Sequence, residues 1–288
     1  MKTRIISGVV MALIVAAFLT LGIVVSPLFI IVFIAAITAV AIYELLHNAA
    51  GIKSKAALIG ACAYSVLNVF ALDSNIIDLI NEYVLNIKPW HSMSPVSRFE
   101  LSAALSIIFF IFVAVVTLKE HKQFTLTHIV TLTAMPIAVS FAFSSLSSVL
   151  SHENGIFYLL MLLNFSSVCD MGAYFVGSSL GKHKLCPEIS PKKTVEGAVG
   201  GVLSSIVVSL ILVFAFSVTE KLAAALILTV PFCILGMIGD LFASAIKRTA
   251  GIKDYGNLIP GHGGILDRFD SIIMIAPLFS LFVSLGVI

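Results

Sequence analysis

The residues best suited to chemistry lie close together near the end of the chain. Ser244-Ala245-Ile246-Lys247-Arg248 is followed by Lys253-Asp254, then by Pro260-Gly261-His262-Gly263-Gly264-Ile265-Leu266-Asp267-Arg268-Phe269-Asp270. This stretch holds four basic side chains, three carboxylates, a histidine and five glycines (Gly251, Gly256, Gly261, Gly263, Gly264). Lys247, Arg248, Lys253 and Arg268 supply the positive charge that phosphates need. Asp267 and Asp270 are three apart, so on a helix they share a face, as do Asp240 and Ser244 at a spacing of four. Three carboxylates from two helix ends can converge on a hard cation such as Mg²⁺, with waters and phosphate oxygens completing the octahedron. Acids at a helix start also suit the helix dipole, but the dipole requires neither this spacing nor Asp240. The glycines allow main-chain N–H groups to approach a ligand closely, or simply make a tight turn. His262 suits contact with a phosphate, acid–base work or a structural hydrogen bond.

A second group lies upstream. Asp170-Met171-Gly172-Ala173-Tyr174-Phe175 falls within or near the end of an apolar segment, which puts Asp170 at membrane depth. A carboxylate at the bilayer centre costs about 2.5–3.5 kcal/mol on insertion scales, so it faces a cavity with a role or makes a helix–helix hydrogen bond. Then comes Ser190-Pro191-Lys192-Lys193-Thr194-Val195-Glu196-Gly197. Ser as cap, Pro at the first position and Lys and Thr in the first turn predict a helix start at Ser190. Two ammonium groups oppose the dipole there, unless an anion shares the place with the first N–H groups. The alternative is that Lys192 and Lys193 only fix topology or touch anionic lipid. Gly177-x-x-x-Gly181-Lys182 is one residue short of a P-loop, and His183 stands where Ser or Thr is required, so a Walker motif is excluded.

The elements that must position these groups are mostly oil. Of 288 residues 59% are hydrophobic and 11% charged, against about 25% charged in a soluble domain. Repeated apolar runs predict an all-α, polytopic integral membrane protein with about nine transmembrane helices: 5–25, 27–46, 56–72, 100–118, 126–149, 156–177, 198–218, 222–245 and 265–287. The first run follows Lys2 and Arg4 but lacks a small-residue cleavage site, so it reads as a retained span. With the N-terminus cytoplasmic, 14 of the 17 Lys and Arg fall on the inner side, both charged loops included. Within the long outer segment 73–99, Ile76, Ile77, Ile80, Val84 and Ile87 fit a short interfacial helix, with Tyr83 and Trp90 at headgroup level. The cysteines (Cys62, Cys169, Cys186, Cys233) form no metal or disulfide pattern. Residues 1–160 are expected to be a scaffold contacting lipid or another copy, and 161–288 the catalytic region. Gly197-x-x-Gly200-Gly201 packs helices within one chain or between two, so a homodimer is one arrangement it allows.

Ser244 to Asp270 resembles the phosphatidate cytidylyltransferases, or CDP-diacylglycerol synthases. Their signature, S-x-φ-K-R-x4-K-D-x-G-x2-φ-P-x-H-G-G-φ-x-D-R-φ-D with φ apolar, is met at every fixed position. Asp170-x-Gly172-Ala173-Tyr174 and Ser190 to Gly197 are similar to the family as well. Met171, Ser178 and Ala243 depart from it, where relatives carry Thr or Ser, Arg, and Glu. The resemblance implies the reaction of CTP with phosphatidate to give CDP-diacylglycerol and pyrophosphate, by metal-assisted in-line attack of the lipid phosphate on the α-phosphorus. It implies Asp240, Asp267 and Asp270 as ligands of Mg²⁺, with a second cation such as K⁺ sharing the site. Together with His262 these are the expected catalytic residues. Lys192, Lys193, Thr194, Ser244, Lys247, Arg248, Lys253, Asp254, Gly263, Gly264 and Arg268 are expected at the substrates, and Asp170 as a supporting or nucleotide contact.

The expected setting is the inner cell membrane, with the site at the cytoplasmic face, lipids as neighbours and no nucleic acid as partner. A CDP-alcohol phosphotransferase would need a DG-x2-AR…G-x3-D-x3-D pattern, of which only Asp267-x-x-Asp270 is present. An ion-coupled transporter would place its acids near mid-span in broken helices. Asp170 fits that pattern, but the clustered acids near the membrane face do not.

Overall fold

The structure, a computed structural model, describes residues 2–73 and 95–288. The chain is an all-α polytopic membrane protein. In lipid each backbone N–H and C=O must find a partner within its own segment, which leaves the helix as the solution for apolar runs of this length. The helices are α1 (Lys2–Val24), α2 (Leu28–Tyr43), α3 (Lys55–Leu72), α4 (Pro95–Lys119), α5 (Leu126–Leu150), α6 (Gly155–Leu163), α7 (Cys169–Leu180), α8 (Val195–Ala215), α9 (Leu222–Thr249) and α10 (Leu266–Ser284). A π-helical turn, Glu44–Ala49, extends α2, and another, Asn164–Val168, joins α6 to α7.

Eight of the resulting helical stretches are long and apolar enough to cross a membrane. The ninth predicted span is α10, which opens on Asp267, Arg268 and Asp270 before its apolar part begins. The interfacial helix expected within 73–99 falls largely on residues 74–94, outside the described residues.

Residues Met1–Ser151 and Asp254–Arg268 form one compact unit, and His152–Lys253 and Phe269–Ile288 another. In the first, Ile34, Ile42, Leu46, Leu132 and Phe143 are buried among α2, α3 and α5. Polar links fix the helices where apolar packing alone gives little specificity: Asn68 donates to Ser140 Oγ (2.9 Å) and accepts from Ser102 (2.7 Å).

The second unit has an aromatic centre. Phe165 stacks on Phe232 (centroids 5.3 Å apart), and Phe279 meets both edge-on. Asn164, on the π turn, donates to Ser205 O (3.0 Å) and Ser209 Oγ (2.8 Å), and Ser209 shares a hydrogen bond with Thr229 (2.7 Å).

The expected helix start at Ser190 is not what forms. Ser190–Thr194 is a strand, β2, paired antiparallel with β1 (Lys184–Cys186), so that Lys184 faces Thr194 and Cys186 faces Ser190. The helix begins at Val195, and its cap is Thr194, whose Oγ1 accepts from Gly197 N (3.1 Å). Ser and Pro are compatible with both outcomes. The preceding Lys184–Cys186 supplies strand partners, which local helix signals do not register, and Thr194 is itself a competent cap.

Helices α7 and α8 meet through small residues. A Cβ on Gly197 would lie 2.7 Å from Ala173 O, and one on Gly201 2.5 Å from Cys169 O. Both contacts are backbone, so neither can yield by a rotamer change. We expect Gly201→Val to separate α7 from α8 and to cost about 1–3 kcal/mol, read as a lower thermal unfolding midpoint in detergent. An unchanged midpoint would contradict this packing.

Candidate functional site

In the second unit, three elements bring opposite charges together. Asp170 lies in the first turn of α7, just past the π turn, with ten residues of apolar span still to come. Lys193 lies on β2 and Asp240 on α9. The Lys193 ammonium forms an ion pair with Asp240 and stands 3.9 Å from Asp170. Asp270, on α10, has Lys247 Nζ 3.9 Å away and accepts from Ser271 N (2.8 Å). Asp170, Asp240 and Asp270 are near enough for their charges to act on one another. Three carboxylates thus crowd together, with Lys193 and Lys247 beside them.

Beside this cluster is a cavity of about 270 Å³. Asp170, Lys192, Lys193 and Asp240 give it charge, and Tyr174 and Met237 give it an apolar wall. Thr194, buried as the cap of α8, also lines it. The hairpin is held from below by Glu196. Its carboxylate accepts from Lys182 N (3.0 Å) and His183 N (3.2 Å) and pairs with His183 Nδ1 (2.6 Å). One carboxylate in the first turn of α8 therefore fixes both the turn before β1 and, through it, the strand that carries Lys193. Of the other expected site residues in this unit, Ser244 is half-buried on α9, while Arg248 and Lys253 are exposed.

The glycine-rich loop belongs to the first unit, where its own hydrogen bonds shape it. Ile259 and Gly263 bridge each other (2.9 and 3.1 Å). Gly263 has φ +89°, and a Cβ there would also lie 2.8 Å from Asp267 Oδ2, so two independent constraints require glycine. Asp267 is buried; its Oδ2 accepts from Tyr255 N (2.8 Å) and Gly264 N (2.9 Å). At least one oxygen of this expected ligand is therefore occupied in holding the loop. His262 Nδ1 shares a hydrogen bond with Ser7 Oγ (2.8 Å), and its carbonyl accepts from Arg268 (2.6 Å). Asp254 is exposed, and Gly264 is buried.

Sequence reasoning passed over Glu44. It is 4% exposed, on the π turn after α2, and accepts from Ile265 N (3.1 Å) and Leu266 N (2.9 Å) at the start of α10. Gly256 and Gly264 lie so close that a Cβ on either would strike its carboxylate. Asn48, one turn on, donates to Tyr255 O (2.6 Å). The signal was available: Glu44 is the only charged residue in the 22-residue apolar stretch Leu28–Ala49, the same anomaly that singled out Asp170.

Among the described residues, no three His, Cys, Asp or Glu side chains stand as a preformed metal cage. The donor chemistry nonetheless fits Mg²⁺. The clustered groups are hard carboxylate oxygens, and this ion binds through one or two of them, with waters and substrate phosphates completing the shell. Asp240 and Asp270 would hold it.

The helices and the charged cavity together define an integral membrane protein with a polar site of acids and lysines. The sequence relationships agree. Residues 2–285 match the Cytidylyltransferase family, and the chain belongs to it. It is 35% identical over 278 residues to a phosphatidate cytidylyltransferase of Bacillus subtilis, covering 96% of this chain and 95% of that one. Phosphatidate cytidylyltransferases of Staphylococcus haemolyticus and Staphylococcus saprophyticus are 41% and 44% identical over 131 residues. In those two alignments the chain spans about half the length of the relative (50%).

We expect Glu44→Ala to leave the Ile265 and Leu266 N–H groups without their acceptor, at a cost of about 1–3 kcal/mol. Thermal unfolding would show it, and Gly264→Ala, which drives a Cβ into the same carboxylate, should destabilise alongside. A Glu44→Ala chain as stable as the parent would remove Glu44 from this role.

Proposed function

We propose that the chain transfers the cytidylyl group of CTP to phosphatidate, releasing pyrophosphate and forming CDP-diacylglycerol. The observation that carries this reading is the cavity where Lys192 and Lys193 face Asp170 and Asp240. The family and the relative aligned over nearly the whole chain support it. The site would lie at the cytoplasmic face of the inner membrane, where the basic loops gather.

In the proposed reaction an oxygen of the lipid phosphate attacks the α-phosphorus of CTP in line. The new P–O bond forms as the bond to the β-phosphate breaks, and the electron pair leaves with pyrophosphate. Positioning and electrostatics carry most of such a transfer. Lys192 and Lys193 would bind triphosphate oxygens, and Lys193 would leave Asp240 to do so. Lys247, Arg248, Lys253 and Arg268 would neutralise the remaining phosphate charge. Bound Mg²⁺, held by Asp240 and Asp270, would offset charge on the nucleotide and on the leaving group, with a second cation such as K⁺ nearby. Asp267 shapes the Gly263–Gly264 turn of its own unit, and the resemblance to the family, rather than the geometry, adds it to the metal ligands. Asp254, Ser244 and Thr194 would line the substrate path, and His262 would hold the loop on Ser7. A homodimer is compatible with this scheme, but the reaction does not require it.

The test is formation of CDP-diacylglycerol by purified protein in detergent, followed by mass spectrometry. We expect product only with CTP, phosphatidate and Mg²⁺ together, none after chelation, and losses of about 10²–10³-fold in Lys193→Gln and Asp240→Asn. Asp267→Ala should be inactive as well. Retained CTP binding with no product from phosphatidate would point to another acceptor and overturn the reading. Full activity in Asp240→Asn would remove that residue from the metal.

A further inference from the structure

The first unit contains a groove that the proposed reaction does not use. It has a volume of about 600 Å³, within the roughly 300–1,000 Å³ usual for small-molecule sites. One end is polar. Lys53 and Lys55 flank it, and the stacked rings of Tyr43 and His47 (centroids 5.1 Å apart) form a wall. The π turn Glu44–Ala49 and Gly51, with φ +72°, set that end, because together they turn the chain out of α2 and back into α3. Such π turns recur at functional sites. Both lysines are exposed, and among the described residues neither is paired with a carboxylate.

The other end is apolar, and its length is informative. Ile59, Cys62 and Val66 continue from Lys55 at intervals of four, three and four residues, which is one face of α3. From Lys55 to Val66 the helix rises about 16 Å at ~1.5 Å per residue. The hydrocarbon core of a bilayer is about 30 Å thick, so the stripe is about as long as one leaflet is deep. Ile59 is 69% exposed along it. An unpaired cationic head above an apolar trough of that length matches a molecule with an anionic head and an acyl chain.

We propose that this groove binds an anionic phospholipid of the surrounding leaflet, its phosphate against Lys53 and Lys55 and one acyl chain along Ile59, Cys62 and Val66. The inference needs only that the chain lies in a membrane. It is independent of the reaction proposed above, and its test uses a lipid that is neither substrate nor product of that reaction.

Cys62 provides the readout, because it lies in the apolar part of the groove. Cys169 and Cys233 are buried (1% and 0% exposed), so Cys186→Ser leaves Cys62 as the accessible thiol. The full-length Cys186→Ser chain is alkylated with a maleimide in mixed micelles. These contain dioleoylphosphatidylglycerol, dioleoylphosphatidylcholine with the same chains, or neither lipid but inorganic phosphate. We expect phosphatidylglycerol to slow labelling about 25-fold relative to phosphatidylcholine, since each of the two lysines near an anionic headgroup contributes about a factor of five. Lys53→Gln with Lys55→Gln should reduce that difference to under about twofold, with the unfolding midpoint unchanged because both side chains are exposed. Equal protection by the two lipids would overturn the proposal in favour of a plain apolar contact. Protection by inorganic phosphate alone would make it a soluble-anion site. No protection, or protection that survives loss of both lysines, would also overturn it. Should the double variant melt early, Lys53→Gln and Lys55→Gln taken singly must each lower the protection.

Discussion

A positive charge held between two acids organises the second unit. Lys193 lies beside the Asp170 carboxylate because the charges balance: within an apolar helical stretch an uncompensated ion is far costlier than a paired one. The balance is reached by drawing elements from three places in the chain to one point. A π turn presents Asp170 at the start of α7, a strand carries Lys193, and α9 supplies Asp240. The hairpin reaches this point because Thr194 ends it in a helix cap and Glu196 grips the turn before it. The glycines of α7 and α8 let the two helices close beneath it. The same arrangement sets carboxylates and lysines side by side, a setting that suits a cation together with an anionic ligand.

The first unit applies a similar principle to backbone rather than to side-chain charge. The start of α10 exposes N–H groups with no intrahelical partner, and the loop before it has N–H groups of its own; two buried carboxylates answer them. Glu44 takes Ile265 and Leu266, and Asp267 takes Tyr255 and Gly264. Negative charge at a helix N-terminus is also favoured by the dipole. The glycines of this loop are therefore explained first by fit: Gly256 and Gly264 make room for Glu44, and Gly263 for Asp267. A loop so thoroughly fixed can present its exposed cation, Arg268, with little left to reorganise.

Much of this was legible in the sequence. Eight of the nine expected spans were, because a bilayer imposes length and hydropathy on every crossing; the ninth is the helix α10, whose first turn is charged. The acids and lysines of the two charged loops stood out because charge is scarce in this chain. Ser190–Thr194 did not read correctly, since a strand five residues long depends on a partner, Lys184–Cys186, that local helix signals cannot weigh. Glu44 escaped because its partners, Ile265 and Leu266, lie 221 and 222 residues away in the chain, and no charged or glycine-rich motif adjoins it in the sequence. The role of Asp267 in holding the loop was hidden for another reason. A carboxylate that binds N–H groups and one that binds a metal are the same residue in a sequence, and only the distances to Tyr255 and Gly264 distinguish them.

The central claim is that the cavity around Lys193 receives the nucleotide. Hydrogen exchange of the intact wild-type chain, followed by mass spectrometry with and without CTP and Mg²⁺, addresses it directly, because bound ligand slows the opening of the backbone that contacts it. The account predicts slower exchange across residues 184–197, the hairpin and the first turn of α8. Binding of CTP that left 184–197 unchanged and slowed exchange elsewhere would contradict it.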